Sequence, residues 1–324
     1  MRPAGTTSDA ISLGRPGGGP ARAAFTLVEL LVTMVIVAIL ASLTLAGLGG
    51  VRQRAKADKT RNTIRKIDAV IRPMYDSYRN RRVTVTGLSS TDPNLRSKQA
   101  LQVLVAKRTL IAYEMPDSWA DVPASLSTVP PAAPNSSFSC RTAPVRAYVR
   151  TIQPPTVPSQ AFGSAECLYM TIARSGFEPD ALEFFRNDEI GDVDGDSFPE
   201  FVDGWGRPIA FLRWASGFTS PLQPGMPATD TNHDQLDPIG VDLTTPLLVP
   251  LIYSSGPDGA TAMPTDDTTG YGLRALTGGW LATTRNLSQI GSTANQEQGQ
   301  WVGAPINGDK SSLDNITNHD LLRK

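Results

Sequence analysis

Ala24-Phe25-Thr26-Leu27-Val28-Glu29-Leu30-Leu31 leads into a run of 21 residues, Leu30 to Gly50, without a charged side chain. At ~1.5 Å per residue a helix of that length crosses a hydrocarbon core. Glu29 stands at the start of the run, where a lone acid costs roughly 3 kcal/mol on insertion scales. A carboxylate kept in such a place calls for a partner and a function. A plain signal anchor does not need it. A secretory signal peptide fits no better, because the run exceeds the usual apolar region of about 7–15 residues. The nearest small-residue stretch, Ala46-Gly47-Leu48-Gly49-Gly50, makes a poor cleavage site.

Phe25-Thr26-Leu27-Val28-Glu29-Leu30-Leu31 resembles the prepilin processing and methylation motif of type IV pilins and type II secretion pseudopilins. The resemblance implies cleavage between Ala24 and Phe25 by a prepilin peptidase, then N-methylation of the new Phe25 amine by the same peptidase/methyltransferase. It also implies that Glu29 pairs with the Phe25 ammonium of a neighbouring subunit, so that charge pairing offsets the desolvation of both groups. Phe25 and Glu29 are four residues apart, ~6 Å along a helix, and a neighbour displaced by about one turn brings the two together. Two features depart from the pattern: Ala24 stands where the family usually has Gly, and residues 1–24 form a long leader, Gly/Pro-rich from Gly14 to Pro20.

Orientation is read from the motif rather than from charge. Arg2, Arg15 and Arg22 precede the apolar run, and Arg52, Arg54, Lys56, Lys59, Arg61, Arg65 and Lys66 follow it. Charge alone would leave the second group in the cytoplasm. The prepilin pattern implies the reverse: a single-pass protein of a bacterial inner membrane with a cytoplasmic leader and a periplasmic body.

The 324 residues carry 30 basic and 31 acidic side chains, a balance that gives no case for nucleic-acid binding. With 28 Gly and 26 Pro the body is turn-rich. Cys140 and Cys167 could form one disulfide or remain two buried small side chains, and the sequence leaves both open. No Cys-x-x-Cys occurs, and the histidines are His233 and His319, so zinc has no support.

Beyond Gly50 the helix is expected to continue. Ile64, Ile67, Ile71, Tyr75 and Tyr78 recur at three- and four-residue spacing, the pattern of one face on a core. Gly47, Gly49 and Gly50 are expected to loosen the helix at the membrane edge, and Pro73 to kink or end it near Arg72. Val83 to Thr86 reads as a short strand, Leu95 to Tyr113 as a helix, and the proline-rich stretch from Pro116 to Pro158 as a loop, a poorly ordered excursion or a small extra subdomain. Ala165–Arg174 and Ala181–Arg186 read as helical. From Arg207 strand signals dominate, at Ile209–Trp214 and Leu247–Tyr253.

Three motifs in the second half resemble the major pseudopilin of type II secretion, in that family's order. They are Asp203-Gly204-Trp205-Gly206-Arg207-Pro208-Ile209, Tyr253-Ser254-Ser255-Gly256-Pro257-Asp258-Gly259, and Asp309 with Leu313-Asp314-Asn315-Ile316-Thr317-Asn318. In that family the last two belong to a loop that binds calcium. The resemblance makes Asp258 and Asp314, with Ser255 and Asp309, candidate ligands of a structural calcium ion. Ordinary Asp/Gly turns explain the same residues. A second candidate is Asp192-Val193-Asp194-Gly195-Asp196-Ser197-Phe198-Pro199-Glu200-Phe201-Val202-Asp203. Oxygens at positions 1, 3, 5 and 12 follow EF-hand-like spacing, which nominates Asp192, Asp194, Asp196 and Asp203 for a second calcium, although Ser197 replaces the usual Gly at position 6. Asp230-Thr231-Asn232-His233-Asp234-Gln235-Leu236-Asp237 repeats the idea more weakly and reads better as a polar surface loop.

Catalysis finds no support: there is no nucleophile elbow, His-Glu-x-x-His, Walker loop or Rossmann fingerprint. The expectation is an α+β pilin-like protein with a long N-terminal helix packed on a small antiparallel sheet. Its expected organisation is a leader (1–24), a transmembrane helix (25–50), an amphipathic continuation (51–79), an insertion with helices and a proline-rich loop (80–200), and a sheet with calcium loops (201–324). The expected role is a type II secretion pseudopilin whose partners are the prepilin peptidase, other pseudopilin subunits and an inner-membrane assembly platform. The alternatives are a type IV pilin and a membrane-anchored ligand-binding module that never polymerises.

Overall fold

The structure is a computed structural model. It describes residues 25–86 (without the side chains of 45–48), 91, 93–129, 131–132, 137–152, 158, 161–215, 217–225, 232–242, 245–261, 263, 303–304 and 310–321. The chain forms two compact units, residues 1–51 and 52–324.

Helix α1, Leu27–Ser77, spans 51 residues. Within the first unit its apolar side chains stand exposed, from Leu27 through Leu43. Among the described residues this is the helix long and apolar enough to cross a membrane, and none of its apolar window is buried inside the chain. The helix is unbroken through Gly49 and Gly50, because about 1 kcal/mol per glycine does not outweigh propagation in a long helix. It also continues through Pro73. The proline removes one backbone bond, but Ile71, Met74 and Tyr75 on both sides of it are buried, and that packing holds the last turn.

In the second unit α1 buries Ile64, Ile67, Val70, Ile71, Met74 and Tyr75 in the main core, and Tyr78, in the 3₁₀ turn directly after it, joins them. That core is shared with α2 (Leu95–Glu114), α4 (Gly163–Arg174) and the strands. Helix α3, Ala143–Thr151, lies within the proline-rich stretch and starts with Pro144 at its first turn, where a missing N–H costs nothing. The stretch is therefore not simply a loop. Val83–Thr86 forms only a bridge residue at Val85, and Ala181–Phe184 is a 3₁₀ turn.

Two small antiparallel sheets complete an α+β architecture consistent with a pilin-like fold. Strands β1 (Ile190–Gly191) and β2 (Glu200–Phe201) form a hairpin. Strands β3 (Ala210–Leu212), β4 (Leu251–Ser254) and β5 (Ile316–Thr317) form a sheet in that order. The pair Phe211 and Ile252 faces the main core, while the pair Leu212 and Leu251 faces a second cluster with Met263. The sheet is thus covered on both sides, and period-two alternation sorts its side chains between two cores. Arg213, directly after β3, is fully buried, with Asp121 at 3.1 Å and the Met115 carbonyl at 2.8 Å.

Candidate functional site

At the N-terminus Thr26 and Glu29 bond reciprocally. The Thr26 N–H donates to the Glu29 carboxylate at 3.0 Å, and the Glu29 N–H donates to the Thr26 hydroxyl at 3.2 Å. Thr-x-x-Glu at a helix start is a capping box, which satisfies two amides that α1 otherwise leaves open. Phe25 precedes the cap and is 81% exposed. Ala24 lies outside the described residues.

The structure brings the three body motifs together. Asp203 is buried, its Oδ1 accepting the N–H groups of Trp205 and Arg207 and its Oδ2 the Ser254 hydroxyl at 2.7 Å. Arg207 donates to the Gly256 carbonyl at 2.6 Å. The Asp203 turn also rests on α1: the Gly204 N–H donates to Thr60 at 2.9 Å and the Trp205 indole to Gln53 at 2.8 Å. A Cβ on Gly204 would collide with the Lys56 carbonyl, which is why glycine stands there. On the other side Gly256 sits against the Asp314 backbone, and the Asn315 amide donates to the Thr261 carbonyl at 2.7 Å.

This placement bears on the first calcium set. The Asp258 N–H points to Asp314 Oδ2 at 3.4 Å, so the two candidates are adjacent. Asp314 Oδ1 and Asn315 Oδ1 are buried without a hydrogen-bond partner. Orphaned buried carboxylate and amide oxygens are the donor type a hard cation uses, so these residues fit calcium. Ser255 is half-buried in the same turn, and Asp309 lies outside the described residues.

The second set is rearranged. Asp203 does not join the loop, because its carboxylate is committed to the turn and to Ser254. Asp192 is committed as well, accepting the N–H groups of Gly195 at 2.7 Å and Ser197 at 3.0 Å. Asp194 and Asp196 instead meet Glu166 from the first turn of α4, with one carboxylate oxygen of each residue within 4.8 Å of the others. Glu200 closes the same loop, its Oε2 accepting the Val193 N–H at 3.0 Å. Burial, reinforced by Asp196, Asp194 and Glu200, pushes the Glu166 carboxyl up to about 8. Burial and the neighbouring Asp194, Asp192 and Asp196 push Glu200 up to about 7.

Packing explains why Glu166 is there. Gly163 lets the Trp119 indole lie against α4, that indole donates to Glu166 Oε2, and Phe198 from the loop packs edge-on against Trp119 with centroids 5.1 Å apart. Glu200 occupies position nine of the spacing, a place from which EF-hand loops also reach the ion, and was legible on that ground. Glu166 carried no local signal. Ser197 adopts φ +78°, the left-handed turn usually given to glycine at position six. Cys140 and Cys167 are both buried and no disulfide joins them, and burial raises the Cys140 thiol to about 12.

These features, a capped helix start with an exposed apolar helix long enough to cross a membrane and a small α+β body, are consistent with a pilin-like protein. Residues 20–45 match a family model, the prokaryotic N-terminal methylation motif. With the long apolar helix that follows, the match is consistent with the type IV pilin and pseudopilin superfamily, whose members with this motif are structural subunits rather than enzymes. The motif implies processing by a prepilin peptidase and assembly with other pilin-like subunits. Comparison with curated proteins and with solved structures returns no match.

Proposed function

We propose that this chain is a pseudopilin-like subunit of a type II secretion filament. On this reading it is cut between Ala24 and Phe25, methylated at Phe25, and held in the bacterial inner membrane by Leu30 to Gly50 with its body in the periplasm. An assembly platform then adds it to a homo- or hetero-filament by helix–helix packing, with Glu29 neutralising the Phe25 ammonium of the neighbouring subunit. The observation that supports the pseudopilin over a type IV pilin is the convergence of the Asp203, Ser254 and Asp314 motifs at one corner of the body. Calcium belongs to the same reading. Asp258 and Asp314, with Ser255 and Asp309 as further ligands, would hold it, and it would cross-link two loops without taking part in catalysis.

The test is a chromosomal deletion complemented by the wild-type chain, with mass spectrometry of the membrane-extracted protein. Loss of proteins from the culture medium, with motility and DNA uptake intact and a mature N-methyl-Phe25 terminus, is the expected result. Loss of surface fibres, motility or DNA uptake with normal secretion would point to a type IV pilin. A chain still carrying residues before Phe25 would sink both and leave a non-polymerising anchored module.

A further inference from the structure

Four carboxylates surround the loop between β1 and β2. Asp194 and Asp196 lie on the loop, Glu200 begins β2, and Glu166 comes from α4. Glu166 is 1% exposed and Glu200 0% exposed, and each has one oxygen, Oε1, buried with no hydrogen-bond partner. Neither is ion-paired among the described residues. Glu166 faces Asp194 and Asp196, Glu200 bonds the Val193 amide of the same loop, and two buried carboxylates with an orphaned oxygen apiece form an arrangement that the protein alone leaves uncompensated. A divalent cation supplies the missing partner. Calcium takes oxygen ligands at about 2.3–2.6 Å, so two oxygens on opposite sides of one ion stand up to ~5 Å apart. The Glu166, Asp194 and Asp196 oxygens lie within 4.8 Å of one another, inside that span.

We infer that Glu166, Asp194, Asp196 and Glu200 form a calcium site that ties the β1–β2 loop to helix α4. The ligand set differs from the one the spacing nominates. Asp192 shapes the loop through the Gly195 and Ser197 amides instead of reaching the ion, and Asp203 serves the neighbouring turn. The role is structural: the ion replaces repulsion between a helix and a loop with a shared ligand. This site stands apart from Asp258 and Asp314 and does not depend on the filament reading.

The test uses the full chain in detergent, stripped with a chelator and titrated with calcium chloride alone. Bound calcium is counted, the calcium-induced rise in Tm is recorded, and Trp119, whose indole touches Glu166, sensitises terbium luminescence at the site. In Glu166→Gln the site's affinity should fall about tenfold or more. The same variant should lose one bound ion at sub-saturating calcium and most of its Tm rise, while its Tm without calcium stays equal or increases because the amide escapes the penalty that burial places on a carboxylate. Trp119→Phe should bind calcium but lose sensitised emission. Asp194→Asn, on the exposed loop, repeats the test should Glu166→Gln fail to fold. Unchanged stoichiometry and Tm rise in the folded Glu166 or Asp194 variant would overturn the assignment. So would a calcium-free Glu166→Gln that has lost stability while its calcium response matches the wild type, since that marks the glutamate as a packing element only.

Discussion

The Asp203 carboxylate accepts the Ser254 hydroxyl at 2.7 Å while its other oxygen caps the turn that leads to Arg207. One buried side chain thus joins the end of β4 to the entry of β3 and holds together two motifs far apart in sequence. Asp203→Ala leaves two turn amides and a buried hydroxyl without their acceptor. Hydrogen bonds to a charged acceptor are worth about 1.5–3 kcal/mol each and are not additive, so a loss of about 3 kcal/mol is expected in chemical unfolding of the full chain. Asp203→Asn keeps one acceptor and should lose less. Equal stability of Asp203→Ala and wild type would remove this residue from its role.

Gly204 and Gly206 sit in the same turn for different reasons. A side chain at Gly204 would strike the Lys56 backbone of α1, whereas Gly206 has open space and φ +82°. Gly206→Ala should cost only the backbone strain, about 1–2 kcal/mol. Gly204→Ala must displace the turn from the helix and should cost more, with loss of the Trp205–Gln53 bond visible as a red shift in tryptophan emission. The reverse order would contradict the close approach.

Glu189 links α1 to the β1 entry through Lys66 at 2.6 Å and Thr63 at 2.8 Å. Burial raises its carboxyl, but the Arg186 amide, Lys66 and Thr63 together hold it below the usual carboxylate range. A depressed carboxylate contributes stability that is present above its unfolded value of about 4.3 and is lost as pH falls through the folded value. Lys66→Met removes the partner of a fully buried charge and should cost about 3 kcal/mol near neutral pH. The gap from wild type should narrow as pH falls below about 4.3 and close only below the depressed folded value, where Glu189 is protonated in both. A gap constant with pH in urea titrations would show that Lys66 acts through packing alone.

The Thr26–Glu29 capping box separates two roles of Glu29. Glutamine also closes a capping box, so Glu29→Gln keeps the cap and removes the charge, while Thr26→Ala removes the hydroxyl cap and keeps the charge. If Glu29 neutralises a neighbour's amine, Glu29→Gln should abolish filament assembly and Thr26→Ala should retain it, with at most ~1 kcal/mol lost at the helix start. Assembly that fails in Thr26→Ala but survives in Glu29→Gln would make the cap the essential feature.

Local pattern carried the N-terminal helix, its processing motif and its buried stripe from Ile64 to Tyr75, because helix contacts repeat every three to four residues and need no knowledge of the rest of the chain. The Thr26–Glu29 cap belongs to the same range. The acidic loop from Asp192 was also legible, since alternating acids and a tight turn are sequence-local. Which carboxylates meet was decided only by tertiary structure. Glu166 reaches Asp194 because Gly163 and Trp119 let α4 approach the loop, and Asp203 turns away because Ser254 arrives from another strand. Pro73 stays inside α1 for a similar reason: burial of its neighbours outweighs one missing hydrogen bond, and burial is a property of the assembled core rather than of the residues around the proline.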